Sequence, residues 1–251
     1  MKTITFRGAR QILNYNLPFY RAAALGCLVA TAVLIAVPLP GAVRLALLTA
    51  LAGVLFWTVS SLAVSHYIYD RSPLYRFEWT RELLPSPPKR WLNIHAGLDY
   101  CSNALGRLFP DAEGSALDIY DPRTMTEPAI RRARRSGEAS LTGIKAKWGE
   151  LPVPDCSSDA AFVVFCAHEL REAEVRSAFF NELARVLKVD GVAVVVEHLR
   201  DLPNLVAFGP GFMHFLPREA FLTAGFAAGL QLAQDRPITP FVHVLMFKRL
   251  P

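Results

Sequence analysis

Residues 160–197 read AAFVVFCAHELREAEVRSAFFNELARVLKVDGVAVVVE, and this stretch decides the fold class. Ala160–Cys166 is an unbroken apolar run, the pattern of a strand buried on both faces. Glu172–Leu187 spaces its apolar residues by three and four, which predicts an amphipathic helix. Lys188-Val-Asp-Gly191 follows, with Gly191 suited to a left-handed helix cap. Val192–Glu197 is a second buried strand, apolar up to Val196. Strand, helix, strand, with both strands mainly apolar, implies parallel strands joined by a crossover helix.

The same alternation extends outward. Trp91–Ile94 is a short strand, Tyr100–Phe109 is helical in spacing, Ser115–Tyr120 is a strand, and Met125–Ser136 is a helix with Thr126 and Glu127 near its start. Downstream, Pro217–Ala228 is a helix running into Gly229, and Thr239–Lys248 is a terminal strand. The pattern predicts an open, mostly parallel α/β sheet with helices on both faces. Such sheets bind ligands beyond the carboxyl ends of their strands. Those ends carry Asn93, His95, Gly97 and Asp99; Asp118 and Asp121; His168, Glu169 and Arg171; and Glu197, His198, Arg200 and Asp201. Polar residues at successive strand ends converge on one crevice.

The remainder of the chain is of another kind. The 251 residues are 52% hydrophobic and 20% charged, with a mean hydropathy of +0.26. That excludes a disordered chain and exceeds the usual apolar share of soluble domains. The excess lies in Ala22–Leu39 and Leu45–Val64, neither of which carries a charge. Each has about the length of a bilayer core, roughly 20 helical residues. The tight turn Pro40-Gly-Ala-Val-Arg44 makes them a hairpin. Buried core helices are the alternative. A signal peptide fits less well, because the first run starts late and the second follows at once.

Lys2, Arg7, Arg10 and Arg21 precede the first span, Arg71, Arg76, Arg81, Lys89 and Arg90 follow the second, and the turn holds Arg44 alone. Both ends therefore face the cytoplasm of a two-span inner-membrane protein. Tyr15, Phe19, Tyr20, Tyr67, Tyr69, Tyr75 and Trp79 suit an interfacial belt, and Thr5–Tyr15 suits a helix lying in the interface. The chain divides into an N-terminal segment and hairpin (1–71), a linker (72–90) ending in Leu84-Pro-Ser-Pro-Pro-Lys-Arg90, and an α/β domain (91–251).

The net charge is +5, but residues 1–90 hold 10 Lys and Arg against 3 Asp and Glu, and residues 91–251 hold 17 against 19. The basicity meets lipid head groups rather than nucleic acid. Arg131, Arg132, Arg134 and Arg135 form a solvated helix face or a second membrane contact. The four cysteines include no C-x-x-C pair and the six histidines no metal-ligand spacing, so no metal site is expected.

Three passages together resemble the class I S-adenosylmethionine-dependent methyltransferases, over roughly residues 88–251. They are Glu150-Leu-Pro-Val-Pro-Asp155 with Ser158-Asp-Ala-Ala-Phe-Val-Val-Phe165, then Glu182-Leu-Ala-Arg-Val-Leu-Lys-Val-Asp-Gly191 with the strand after it, then Gly225-Phe with Gly229-Leu230. The resemblance implies a Rossmann-like, doubly wound sheet whose last strand is antiparallel, here preceded by the transmembrane hairpin. It implies S-adenosylmethionine as cofactor. Asp118 is then the acid that takes the ribose hydroxyls, Asn93, His95 and Gly97 form the loop under the methionine part, and Trp148-Gly149 flanks the adenine. Trp148 is a stacking partner or a plain packing aromatic. The family's loop is rich in glycine, whereas Asn93-Ile-His-Ala-Gly-Leu-Asp99 keeps only Gly97. Cofactor binding is thus remodelled or lost.

His168, Glu169 and His198 are the candidates for chemistry, since an imidazole beside a carboxylate can take a proton from the acceptor. The other reading is that they begin the next elements. Arg171, Arg200 and Asp201 suit an ion pair at the crevice mouth. Phe208-Gly-Pro-Gly-Phe-Met-His-Phe-Leu-Pro217 suits a lid with His214 inward, or an apolar loop under the hairpin. The passages around His168, His198 and His214 also resemble membrane-associated methyltransferases of bacterial pigment clusters, which implies an aromatic acceptor. The expected activity is transfer of a methyl group to a lipophilic or lipid-linked small molecule: an aryl-polyene or other phenol, a quinone precursor, or a phospholipid head group. The expected partners are the lipid bilayer, that substrate, and a second copy or a biosynthetic complex. The alternative is an inactive methyltransferase-like membrane scaffold.

Overall fold

The computed structural model describes residues 6–135 and 143–251. The N-terminal part consists of α1 (Arg7–Tyr15), α2 (Leu17–Ala36) and α3 (Gly41–His66), the last continuing through a π-turn, Tyr67–Arg71, and followed by α4 (Thr80–Leu83). The remainder runs β1 (Arg90–His95), α5 (Ser102–Leu108), β2 (Glu113–Asp118), α6 (Pro128–Arg135), β3 (Ile144–Lys145) and β4 (Ser158–Val164). It ends with α7 (Ala173–Val186), β5 (Leu187–Glu197), α8 (Leu202–Phe208), α9 (Arg218–Ala227), β6 (Leu230–Thr239) and β7 (Val242–Arg249).

The seven strands form one sheet in the order β3-β2-β1-β4-β5-β7-β6. Neighbours among β1 to β5 are parallel, and β7 is antiparallel to both β5 and β6. This is the Rossmann-like arrangement with an antiparallel final strand. The order reverses between β1 and β4, which places the crevice over those strand ends. Phe179, Phe180 and Leu183 of α7 and Phe221 of α9 fill one face of the sheet and are fully buried. Each such side chain contributes about 2 kcal/mol by leaving water. The other face is filled by Leu105 of α5 and by Ile68, Leu74, Phe77 and Leu83.

That second core corrects the expected linker. Leu74 and Phe77 have no exposed surface. Phe77 takes a left-handed conformation (φ 57°), and the Trp79 indole donates to Leu74 O at 3.0 Å. Residues 72–84 therefore belong to the body of the domain. Tyr15 and Trp79, expected at an interface, are buried in protein instead.

The hairpin region is long and apolar enough to cross a membrane, in Leu17–Ala36 and in the continuous helix from Gly41. Leu25, Leu28, Ile35, Leu45, Phe56 and Val59 point outward, and Tyr20 Oη lies 3.0 Å from Ser61 Oγ, linking α2 to α3. The Asp70 carboxylate accepts from Gly8 N (2.9 Å), Ala9 N (3.3 Å) and His66 Nδ1 (3.0 Å). It holds the first turn of α1 against the end of α3, where a Cβ on Gly8 would lie 2.3 Å from Tyr69 Cβ.

Three local expectations change. Gly191 does not cap a helix: α7 runs straight into β5, Asp190 takes the left-handed conformation (φ 66°), and a Cβ on Gly191 would lie 2.8 Å from Lys188 O. Strand β6 fills the gap between the expected last helix and the expected last strand, where alternating exposure and Pro237 mask the strand pattern. Helix α6 begins at Pro128, whose fixed φ suits a first helical turn, and the expected last residue, Ser136, lies outside the described residues.

Candidate functional site

The crevice has two halves. In the first, β1 and β2 end level with each other, His95 opposite Asp118. Gly97 turns the chain with φ 91°. Asn93 donates from Nδ2 to Asp99 Oδ1 (2.7 Å) and Ser102 Oγ (2.9 Å), fixing the loop. Its own Oδ1 is buried with no donor among the described residues. His95 Nδ1 accepts from Gly97 N at 2.9 Å. The histidine thus folds back on the loop rather than filling the crevice.

Asp118 is 1% exposed. Its carboxylate accepts from Tyr120 N (3.1 Å), Arg134 Nη1 (3.2 Å), Arg134 Nη2 (3.1 Å) and Lys145 Nζ. Burial alone would raise its pKa, but Lys145 and Arg134 outweigh burial and hold it below the usual carboxylate range. Arg134 also donates to Ala96 O (2.9 Å) and lies 4.2 Å over the Tyr120 ring. Its Nη1 sits 1.3 Å from where a Cβ on Gly97 would be. The guanidinium therefore occupies the space above the one retained glycine. The arginine cluster divides accordingly: Arg134 faces inward, Arg132 Nε donates to Tyr15 O at 2.5 Å, and Arg131 and Arg135 are exposed.

Beside Asp118 lies a cavity of about 420 Å³ lined by Tyr120, Arg123, Ala146, Trp148 and Gly149. Two aromatic rings and small residues suit a flat heteroaromatic base, and the adjacent carboxylate suits a vicinal diol. The orphaned Asn93 oxygen suits an ammonium group. These residues fit S-adenosylmethionine once the Arg134 side chain, held by its ion pair with Asp118, its bond to Ala96 O and the Tyr120 ring, swings aside.

The second half brings together residues distant in sequence. His168 Nδ1 donates to Glu197 Oε2 at 2.7 Å, across the ends of β4 and β5. Glu197 Oε1 accepts from Cys166 N (3.1 Å) and His168 N (3.2 Å). His168 Nε2 lies 3.5 Å from Glu169 Oε1. Burial disfavours charge on His168, but Glu197 and Glu169 prevail and push its pKa up to about 10. The His214 ring meets His168 edge-on with centroids 5.0 Å apart. Burial, helped by the charge of His168, lowers His214 to about 4. Glu127 completes the rim, 3.8 Å from His214 Nδ1 and 3.6 Å from Arg171 Nη2.

His198 does not join this group. Its Nδ1 donates to Phe241 O (2.8 Å), its Nε2 accepts from the Tyr69 hydroxyl (2.8 Å), and its ring stacks between Phe165 and Phe215. Burial drives its pKa down to about 3. It ties the end of β5 to the π-turn below α3. The expected ion pair of Arg171, Arg200 and Asp201 is absent among the described contacts. Arg171 donates to His214 O, Arg200 to Met213 O and Phe215 O, and Asp201 caps α8 by accepting from Asn204 N at 3.0 Å. These bonds fix the 209–217 segment over the crevice. Gly209, with φ 53°, lets it approach the Trp57 ring of α3, 2.6 Å from a Cβ placed there.

The sequence has no metal-ligand spacing, yet the fold brings one ligand atom from each of His168, Glu169 and His214 within 4.8 Å of the others. Arg134, Lys145 and Glu127 were not among the expected site residues. Nothing in a run of four arginines says which one turns inward.

Residues 97–195 match the methyltransferase domain family. No curated protein matches the chain. Among solved structures, an S-adenosylmethionine-dependent methyltransferase from Aquifex aeolicus superposes with a TM-score of 0.52 at 17% identity, over 71% of this chain and 93% of that one. Geranyl diphosphate C-methyltransferase from Streptomyces coelicolor A3(2), in complex with Mg2+, geranyl diphosphate and S-adenosyl-L-homocysteine, superposes with a TM-score of 0.52 at 12% identity, over 76% and 84%. At these identities the likeness is one of fold. Residues 97–195 thus carry a methyltransferase-domain match on a Rossmann-like methyltransferase fold, and the two together support S-adenosylmethionine as the cofactor.

Proposed function

We propose that this methyltransferase is held in a bilayer by its hairpin, with both ends of the chain on the cytoplasmic side of the inner membrane, and methylates a lipophilic small molecule of phenolic, quinone or aryl-polyene type. The observation that carries the reading is the continuity between the apolar hairpin and the crevice. Trp57 of α3 packs on Gly209 of the segment that roofs the crevice. Tyr69, one turn below α3, bonds His198 at the end of β5. An acceptor dissolved in the bilayer would meet the site at high local concentration.

In this reading Asp118 holds the ribose, Asn93 Oδ1 accepts from the amino group, and Tyr120 and Trp148 flank the base. The cofactor supplies an electrophilic methyl group. The chain's part is to hold the acceptor in line with it and to relieve the acceptor of its proton. Glu197 fixes the orientation of His168, so the His168, Glu169 and His214 cluster meets the acceptor. Phe215 borders the cluster on the His214 side, with ring centroids 6.0 Å apart.

The test uses the full chain in nanodiscs with methyl-labelled S-adenosylmethionine and a bacterial lipid extract. Label is expected in the organic phase, and its transfer is expected to fall at least tenfold in Asp118→Ala. Label found only in water-soluble product would refute the lipophilic acceptor. Absence of both cofactor binding and transfer would leave a membrane scaffold as the reading.

A further inference from the structure

The cluster at the ends of β4 and β5 has the composition of a metal centre. One ligand atom from each of His168, Glu169 and His214 lies within 4.8 Å of the other two. Around a tetrahedral zinc-sized ion with bonds of about 2.0–2.1 Å, donors stand a little over 3 Å apart. Closing the cluster therefore shortens its longest donor separation by up to about 1.5 Å.

Three further observations point to a ligand there. Glu169 is 5% exposed, and its Oε2 is buried without a hydrogen-bond partner among the described residues. A buried, unsatisfied carboxylate oxygen is costly unless something positive meets it. His168 is already oriented as a ligand. Its Nδ1 is held by Glu197 at 2.7 Å, which leaves Nε2 toward Glu169, and Glu197 is itself fixed by two backbone amides. A carboxylate behind a ligating histidine is the usual support of a protein metal site. The charges also agree. Glu127, Glu169 and Glu197 face Arg171 and, without a metal, the His168 imidazolium, an excess of one negative charge.

We propose that His168, Glu169 and His214 bind one divalent transition-metal ion of the zinc class, with a fourth position open on the His214 side. Two imidazoles and one carboxylate select such an ion over magnesium or calcium, which prefer oxygen ligands alone. Three protein ligands and an open position form the pattern of a catalytic rather than a structural zinc site. The His214 side chain is 30% exposed, so the opening faces the crevice mouth. The group that would fill the open position is a hydroxyl or thiol of the acceptor. The metal site stands on the donor geometry alone, whereas this acceptor class rests on the function proposed above.

The experiment takes the tag-free full chain in detergent, strips it with a chelator, and titrates it with Zn2+ by calorimetry and with Co2+ by visible absorption. One ion per chain and the strong absorption of four-coordinate cobalt are expected. His214→Ala is expected to weaken binding at least 100-fold. Glu197→Gln, which touches no metal, is expected to weaken it 10- to 100-fold while keeping the cobalt spectrum. His214 lies on a partly exposed segment, so its variant tests the site even if Glu169→Gln fails to fold. Absence of the cobalt spectrum, or equal affinity in His214→Ala, would overturn the proposal. S-adenosylmethionine binding is measured on the same samples. Cofactor binding without metal binding ends this inference and leaves the transferase reading standing; the reverse result separates them the other way.

Discussion

Replacing Arg134 by alanine is expected to tighten the binding of S-adenosylmethionine. The guanidinium donates to Ala96 O and to both oxygens of Asp118, at 2.9–3.2 Å, with its side chain 15% exposed. For the methionine part to lie over Gly97, those bonds must break. Water repays the guanidinium as it swings out, and Lys145 and Tyr120 N remain on the carboxylate. The net cost is then close to that of one hydrogen bond to a charged group, about 1.5 kcal/mol. That corresponds to about a tenfold lower Kd in Arg134→Ala. Calorimetry with S-adenosylmethionine and S-adenosylhomocysteine on the purified full chain reads this directly, with Arg134→Lys expected between wild type and alanine. Unchanged affinity would mean that the arginine does not compete with the cofactor. Weaker affinity would mean that the guanidinium moves onto the cofactor's carboxylate, which would refute the displacement argument.

Three other outcomes follow from contacts described above. Tyr69→Phe leaves His198 Nε2 buried without its donor and is expected to cost about 1–3 kcal/mol, seen as a lower Tm of the full chain with the α/β secondary structure kept. His198, held near pKa 3 by burial against about 6.5 unfolded, makes stability fall as pH drops below 6.5 and continue falling toward 3. One such group contributes a slope of up to about 1.4 kcal/mol per pH unit, and His198→Asn is expected to flatten the denaturant midpoint measured over pH 4–6.5. Gly225→Ala drives a Cβ to 2.5 Å from the Phe247 ring, where α9 packs on the sheet. The overpacking is expected to cost about 1–3 kcal/mol, and an unchanged midpoint would mean that α9 sits less closely than described.

The central strands were legible because burial on both faces leaves little but Val, Ala and Phe in them, as in Ala160–Val164 and Val192–Val196. The edge strand β6 was not, since half its side chains face water and its pattern resembles a polar loop. Residues 72–84 read as a linker because prolines and charges surround the few apolar residues that anchor it. At the site, Asp118 and His168 could be placed by their position at strand ends. Their partners could not. Whether Arg134 faces inward depends on the rotation of α6 about its axis, and His214 reaches His168 only through the path of the 209–217 segment. The histidine pair at 168 and 214 has no sequence spacing to betray it, because the fold rather than a single helix brings the two together.

The two edges of the sheet differ from its middle in a way that bears on how copies crowd. One edge is β3, two residues long. The other is β6, with register shifts on either side of Gln234–Pro237, a proline that cannot donate to a ladder, and the charged pair Asp235 and Arg236. A short edge and a kinked, charged one both refuse the addition of another strand. If the hairpin holds the chain in a bilayer as proposed, that refusal is what keeps the sheets of neighbouring copies from fusing edge to edge.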